Sequence, residues 1–130
     1  MPNFEYNDGG RSQYYKGSAR DCGARAMAIA LGLDYKMAYK ELAQANKECG
    51  YDKSARNGLM KEVLSKVLER HGWTWHPSPK FEGRKAYCDD MPDGMVIARM
   101  ARHFVAVSWR TPNDTFDCSE KMVYGYWART

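Results

Sequence analysis

The sequence predicts an α+β fold in which helices come first and an antiparallel sheet follows. Apolar residues recur at helical spacing as far as Gly72, and beyond it the apolar runs become short and aromatic or β-branched. Pro77, Pro79, Pro92 and Pro112 mark the breaks between those later runs, and helices followed by strands is the α+β pattern. With 130 residues, 44% of them hydrophobic, the chain has the size of one domain spanning residues 1–130. Four Trp and nine Tyr argue for a packed core, since disordered chains are poor in large aromatics.

Residues 1–20 are rich in Gly, Asn, Ser and Tyr and show no periodicity, so they read as an irregular lead-in wrapped onto the domain. The first helix is expected over 22–31, with Asp21 placed as its N-cap and Gly32 as its stop. Gly23, Ala24, Ala26, Ala28 and Ala30 make it small on nearly every side, while Met27, Ile29 and Leu31 supply bulk. That composition suits a central, buried helix approached closely by its neighbours.

A second helix is expected at about 35–46, with Met37, Tyr39, Leu42 and Ala43 as its apolar face. The third, about 58–71, repeats Leu59, Val63, Leu64, Val67 and Leu68 and stops at Gly72; His71 falls in its last turn, where a positive charge suits the helix dipole. Strands are then expected at WTWH (73–76), GMVIAR (94–99), HFVAVSW (103–109), TFDC (115–118) and VYGYW (123–127).

A net charge of +4 arises from 20 basic and 16 acidic residues that are interspersed along the chain. Lys47, Lys53, Arg56, Lys61 and Lys66 gather near the middle, yet no block of like charge marks a nucleic-acid or membrane tail. Nucleic acid is therefore not an expected partner. No apolar run is long enough to span a bilayer and MPNFEYNDGGRS is no signal segment, which points to the cytosol. The cysteines, Cys22, Cys49, Cys88 and Cys118, show no zinc-finger spacing and are expected to be reduced thiols, with no metal and no cofactor. His76, in WTWHPSP, is expected at the surface, where it could contact a substrate.

A thiol at the start of a helix lies at the positive end of the dipole, and both that field and the open first-turn N–H groups favour thiolate. Cys22 has that position in DCGARAMAIALG; the plain alternative is a cysteine that fills space. His103 opens the run HFVAVSW, in which period two places His103, Val105 and Val107 on one face. A histidine paired with a helix-leading cysteine is a general base for a nucleophile.

A third group, an acceptor that fixes the imidazole tautomer, is expected from the next strand. If the turn falls near Trp109 and Arg110, Asp114 lies across from Val105 on the face of His103, and Asp117 faces the other side. A turn built on TPND makes Asp114 a turn residue and leaves Asp117 as the alternative.

These segments resemble the papain-like cysteine peptidases, in the compact bacterial and phage-encoded variety akin to the bacteriocin-leader-processing peptidases. The likeness is carried by DCGARAMAIALG, by HFVAV, and by NDTFD with VYGYW, and SARNGLMKEVLSKVLERHGWTW looks like the same small phage proteins, so that roughly residues 20–127 are covered. The resemblance implies a helical part bearing Cys22 packed on a sheet bearing His103 and Asp114, with a thiolate attacking an amide or thioester carbonyl of a protein or peptide substrate in a bacterial or phage-infected host cytosol. Such enzymes place a Gln upstream of the nucleophile to bind the oxyanion. Here that position is Lys16 and the nearest Gln is Gln13, which leaves Gln13, Ser18 or Lys16 as possible helpers of the Cys22 backbone N–H. The alternative function is an inactive papain-like module whose cleft binds a host or partner protein.

Overall fold

The computed structural model describes residues 4–15, 21–50 and 61–129. Among the described residues it is α+β, with three α-helices and one six-stranded mixed sheet. In chain order these are β1 (Glu5–Tyr6), α1 (Cys22–Leu31), α2 (Tyr35–Glu48), α3 (Lys61–Arg70), β2 (Trp73–Pro77), β3 (Met95–Met100), β4 (His103–Ser108), β5 (Thr111–Asp114) and β6 (Gly125–Arg129). The sheet order is β1-β5-β4-β3-β6-β2, antiparallel throughout except where β1 runs parallel to β5. None of the described helices is long and apolar enough to cross a membrane.

Periodicity dictates which residues meet. Val63, Leu64, Val67 and Leu68 form the inner stripe of α3 and are fully buried. They share one core with Ala24, Met27 and Ala28 of α1, Tyr35, Ala38 and Leu42 of α2, and the sheet residues Ile97, Phe104 and Trp127. Alternation turns Val96, Ala98, Met100, Val105 and Val107 to the opposite face, where Cys88, Met91, Cys118 and Val123 cover them. The sheet is thus buried on both sides, which explains why β4 is buried from His103 to Val107.

The small residues of α1 do what their size allows. A Cβ on Gly9 would come within 3.0 Å of the Arg25 carbonyl oxygen, so the lead-in lies directly against the backbone of α1. At the other end of the sheet, a Cβ on Gly125 would come within 2.2 Å of the Trp75 ring, which fixes where β6 can begin. Gly32 ends α1 in the left-handed conformation, φ 67°, as its position in the sequence predicts.

Several expectations are corrected. The lead-in contributes a strand: Glu5 and Tyr6 pair with Asn113 and Asp114. The strand expected at 115–118 is instead Thr111–Asp114, because Trp109 and Arg110 close a two-residue turn with φ of 49° and 72° and return the chain at once. Pro112 is tolerated within it. A two-residue turn makes Ser108 and Thr111 the hydrogen-bonded closing pair, so Pro112 opposite Val107 occupies a position whose N–H would point away from β4. His76 is half-buried and stacked on Tyr126, with ring centroids 5.3 Å apart, rather than free at the surface. His71 lies just beyond α3 and its ring pairs with Glu41 at 2.6 Å. The expected start of α3, at 58–60, lies outside the described residues.

The turn that sets the β4–β5 register is made from two residues poorly suited to it, since left-handed backbone costs a non-glycine residue about 1–2 kcal/mol. Trp109 is 68% exposed and Arg110 forms only an exposed ion pair with Asp93, so neither offsets that cost. Replacing the pair by Asn-Gly (W109N with R110G) is expected to raise stability by about 1–2 kcal/mol, read as a higher midpoint in chemical denaturation with the slope unchanged.

Candidate active site

Cys22 is the first residue of α1, and α1 packs across β4 and reaches β3 and β5. His103 is the first residue of β4, paired with Met100 across the β3–β4 turn. Continuing the register Ala106 to Asn113 places Asp114 opposite Val105, two residues along from His103 and on its face. The backbone of Asp114 is held from the far side as well, by the Asn7 N–H donating to its carbonyl at 2.9 Å. Three segments distant in sequence therefore converge at one end of the sheet.

His103 lies between the other two. Its Nε2 is 2.5 Å from Asp114 Oδ2, and the Cys22 thiol lies beside the same imidazole, close enough for each to shift the other's titration. Since Asp114 takes Nε2, the ring nitrogen left for sulfur is Nδ1. Phe116 packs on the imidazole, with ring centroids 5.1 Å apart, and is 42% exposed, so one side of the site is an aromatic wall open to solvent.

Burial pushes the Cys22 thiol up, but its hydrogen bond to His103, the imidazolium charge, the Phe104 backbone N–H and the Arg25 charge together bring it below the ordinary thiol value. Burial likewise opposes protonation of His103. The hydrogen bonds to Asp114 and Cys22 and their negative charges outweigh it and raise the ring to about 9. Asp114, despite a burial effect that raises it, is held below the usual carboxylate range by His103, the Thr115 N–H and Arg25. These directions favour a thiolate–imidazolium pair, its far N–H held by a carboxylate, over a neutral thiol beside a neutral imidazole.

Around this line lies a buried network of charges. Arg25, on the first turns of α1, donates from Nη1 to Asp114 Oδ1 at 3.1 Å and to Thr115 Oγ1 at 2.8 Å, and from Nε to Asp21 Oδ1 at 3.0 Å. Asp21 also accepts from Arg11 Nη1 at 3.3 Å and from the Tyr35 hydroxyl. The expected N-cap role of Asp21 is thereby corrected: its side chain makes no cap hydrogen bond, because two guanidinium groups and a phenol engage the carboxylate. Arg25 and Arg11 are not singled out by composition or periodicity. The one local signal is the i,i+4 spacing of Asp21 and Arg25, which places opposite charges on one helical face.

The remaining sequence candidates fall elsewhere. Gln13 closes a short 3₁₀ turn (Arg11–Gln13) with an exposed side chain beside Gly10, and it does not join the hydrogen bonds around Cys22. Asp117 is exposed and accepts the Ser119 N–H at 2.9 Å, while Asp114 holds the imidazole. Lys16 and Ser18 lie outside the described residues.

Among the described residues, one grouping has the donor atoms for a metal: His103, Asp114 and Cys118, all within 4.8 Å of one another. Its chemistry disfavours a cation, because the Arg25 charge already rests on Asp114 and burial with the charge of Asp114 pushes the Cys118 thiol up, keeping it protonated. Burial pushes Cys88 up as well, to about 12.

Asp114→Asn is expected to slow alkylation of Cys22 at pH 7 by about tenfold or more, since an amide cannot stabilise imidazolium as a carboxylate does. Asp117→Asn should leave the rate within about twofold, as expected for a surface change; equal slowing in both variants would remove Asp114 from the site. Comparisons of the chain with protein-family models, with curated proteins and with solved structures return no match, so the reading of this site rests on its own geometry.

Proposed function

We propose that the protein is a cysteine hydrolase of papain-like design, acting on an amide or thioester carbonyl of a protein or peptide. Cys22 is its nucleophile, His103 its general base and acid, and Asp114 the acceptor that orients the imidazole. The observation that carries this reading is the meeting of three side chains from a helix start and two strands, where Asp114 holds Nε2 of His103 and the same imidazole, beside Cys22, lowers that thiol's pKa. A buried cysteine that merely fills space has no need of an imidazole held by a carboxylate.

In this reading the thiolate sulfur adds to the carbonyl carbon and the π pair moves onto oxygen. The backbone N–H of Cys22, at the start of α1, faces the developing charge, and the side chain of Asp21 does not occupy the first-turn donors. Collapse breaks the C–N or C–S bond, and the leaving group takes the proton from Nδ1 of His103. Water then attacks the acyl-thioester while Nδ1 takes one of its protons, and the acid leaves as sulfur recovers the bonding pair. Throughout, Asp114 keeps the Nε2 proton in place, so the imidazole can only exchange protons on the side facing sulfur.

Iodoacetamide at pH 7 is expected to alkylate Cys22 well before Cys88 and Cys118, whose thiols are buried and pushed up. Labelling of Cys22 no faster than the others, measured by mass spectrometry of digests, would refute the reading. On a pool of peptides, new termini should appear with the intact protein and vanish with Cys22→Ser; binding of a partner that survives that substitution, without cleavage by either form, would favour the inactive binding module instead.

The two measurements should also part at high pH. His103 titrates near 9, so hydrolysis, which needs the imidazolium proton, falls as pH rises through that value. Alkylation needs only the thiolate and should not fall.

A further inference from the structure

Resting on this reading of Cys22, His103 and Asp114, we propose that Arg25 is a positioning residue of the site, whose guanidinium spans Asp21 and Asp114 and so aims the Asp114 carboxylate at His103. The geometry is specific. Nε and Nη1 of one planar group reach carboxylates on opposite sides, at 3.0 Å and 3.1 Å, and Nη1 also meets Thr115 Oγ1 at 2.8 Å. A second donor to Asp114 Oδ1 is local, the Thr115 N–H at 2.7 Å, which leaves Oδ2 for His103. With Oδ1 held by Arg25 and the backbone, rotation of the carboxylate away from the imidazole would break two hydrogen bonds at once.

Asp21 makes this clamp rigid. It immediately precedes the nucleophile, is 1% exposed, and is gripped by Arg11 and the Tyr35 hydroxyl as well as by Arg25. The guanidinium that orients Asp114 is thus tied to the residue next to Cys22, and the spacing between the helix bearing sulfur and the strand bearing the carboxylate is set by one side chain. The charges also balance: Arg11 and Arg25 face Asp21 and Asp114, and Cys22 faces His103. Buried charge is tolerated when it is paired in this way.

A side chain that only stabilised the fold would change the melting temperature and leave the reactivity of Cys22 alone. The decisive readout is the pH dependence of Cys22 alkylation by iodoacetamide in the full-length protein, with folding checked by circular dichroism. Arg25→Lys keeps the charge but cannot reach both carboxylates as a fork. It is expected to move the alkylation midpoint upward by about half to one pH unit, which is roughly a three- to tenfold loss of rate at a pH below the midpoint. Arg25→Met should move it further, and Arg25→Met with Asp21→Asn, which restores charge balance in the core, should stay folded while keeping the raised midpoint.

Midpoints equal to the intact protein in Arg25→Lys and in the charge-balanced double variant would overturn the assignment of Arg25 while leaving the hydrolase reading in place. A midpoint of Cys22 in the intact protein no lower than that of an ordinary thiol would instead remove the hydrolase reading itself.

Discussion

The imidazole of His103, held between a sulfur and a carboxylate, is the constraint on which the site depends. Removing it from water makes its charge costly, and the structure offsets that cost from both sides, with Asp114 on Nε2 and Cys22 on the other nitrogen. Each partner's charge is stabilised by the same ring, which favours moving to histidine the proton that an isolated thiol would keep. The unusual state of Cys22 is therefore a property of three side chains together and of none alone.

That arrangement depends in turn on a hairpin. Two residues with left-handed backbone, Trp109 and Arg110, bring β5 back against β4 so that Asp114 arrives on the face of His103. A shift of one residue would turn Asp114 to the other side and present its neighbour instead. The parallel pairing of Glu5 and Tyr6 with Asn113 and Asp114 secures the register from the outer edge, which gives the otherwise irregular lead-in a direct part in holding the site.

The buried ion network beneath the site joins stability to chemistry. Arg11, Asp21, Tyr35, Arg25 and Asp114 form one connected set of hydrogen bonds running from the lead-in through α1 and α2 to β5. Because its members are removed from water, taking away Asp21 or Arg25 leaves a charge in the interior short of its partner, at a cost of about 3–5 kcal/mol. A hydrophobic substitute for the set would pack as well, but it would have nothing with which to hold a carboxylate ionised beside an imidazole. On the sheet face away from the α1 core, close to Asp114, the thiols of Cys88 and Cys118 show the reverse of Cys22, since burial there meets the negative charge of aspartates and pushes both up.

The sequence by itself determined the three helices and the strands β2, β3, β4 and β6 that follow them, the apolar stripe of α3, the limits of α1 and the candidates Cys22, His103 and Asp114, because these depend on periodicity, caps and alternation within short windows. It left the choice between Asp114 and Asp117 open, since that choice turns on where a hairpin reverses. Only the tertiary structure decided it, through pairing that excludes TPND as a turn and makes it a strand. Tertiary structure alone also revealed the work of Asp21 and Arg25. In a local window Asp21 is a helix cap and Arg25 an oddity in a small-residue helix; their real partners, Arg11, Tyr35 and Asp114, come from other elements, and a buried charge can be understood only when the charge opposite it is known.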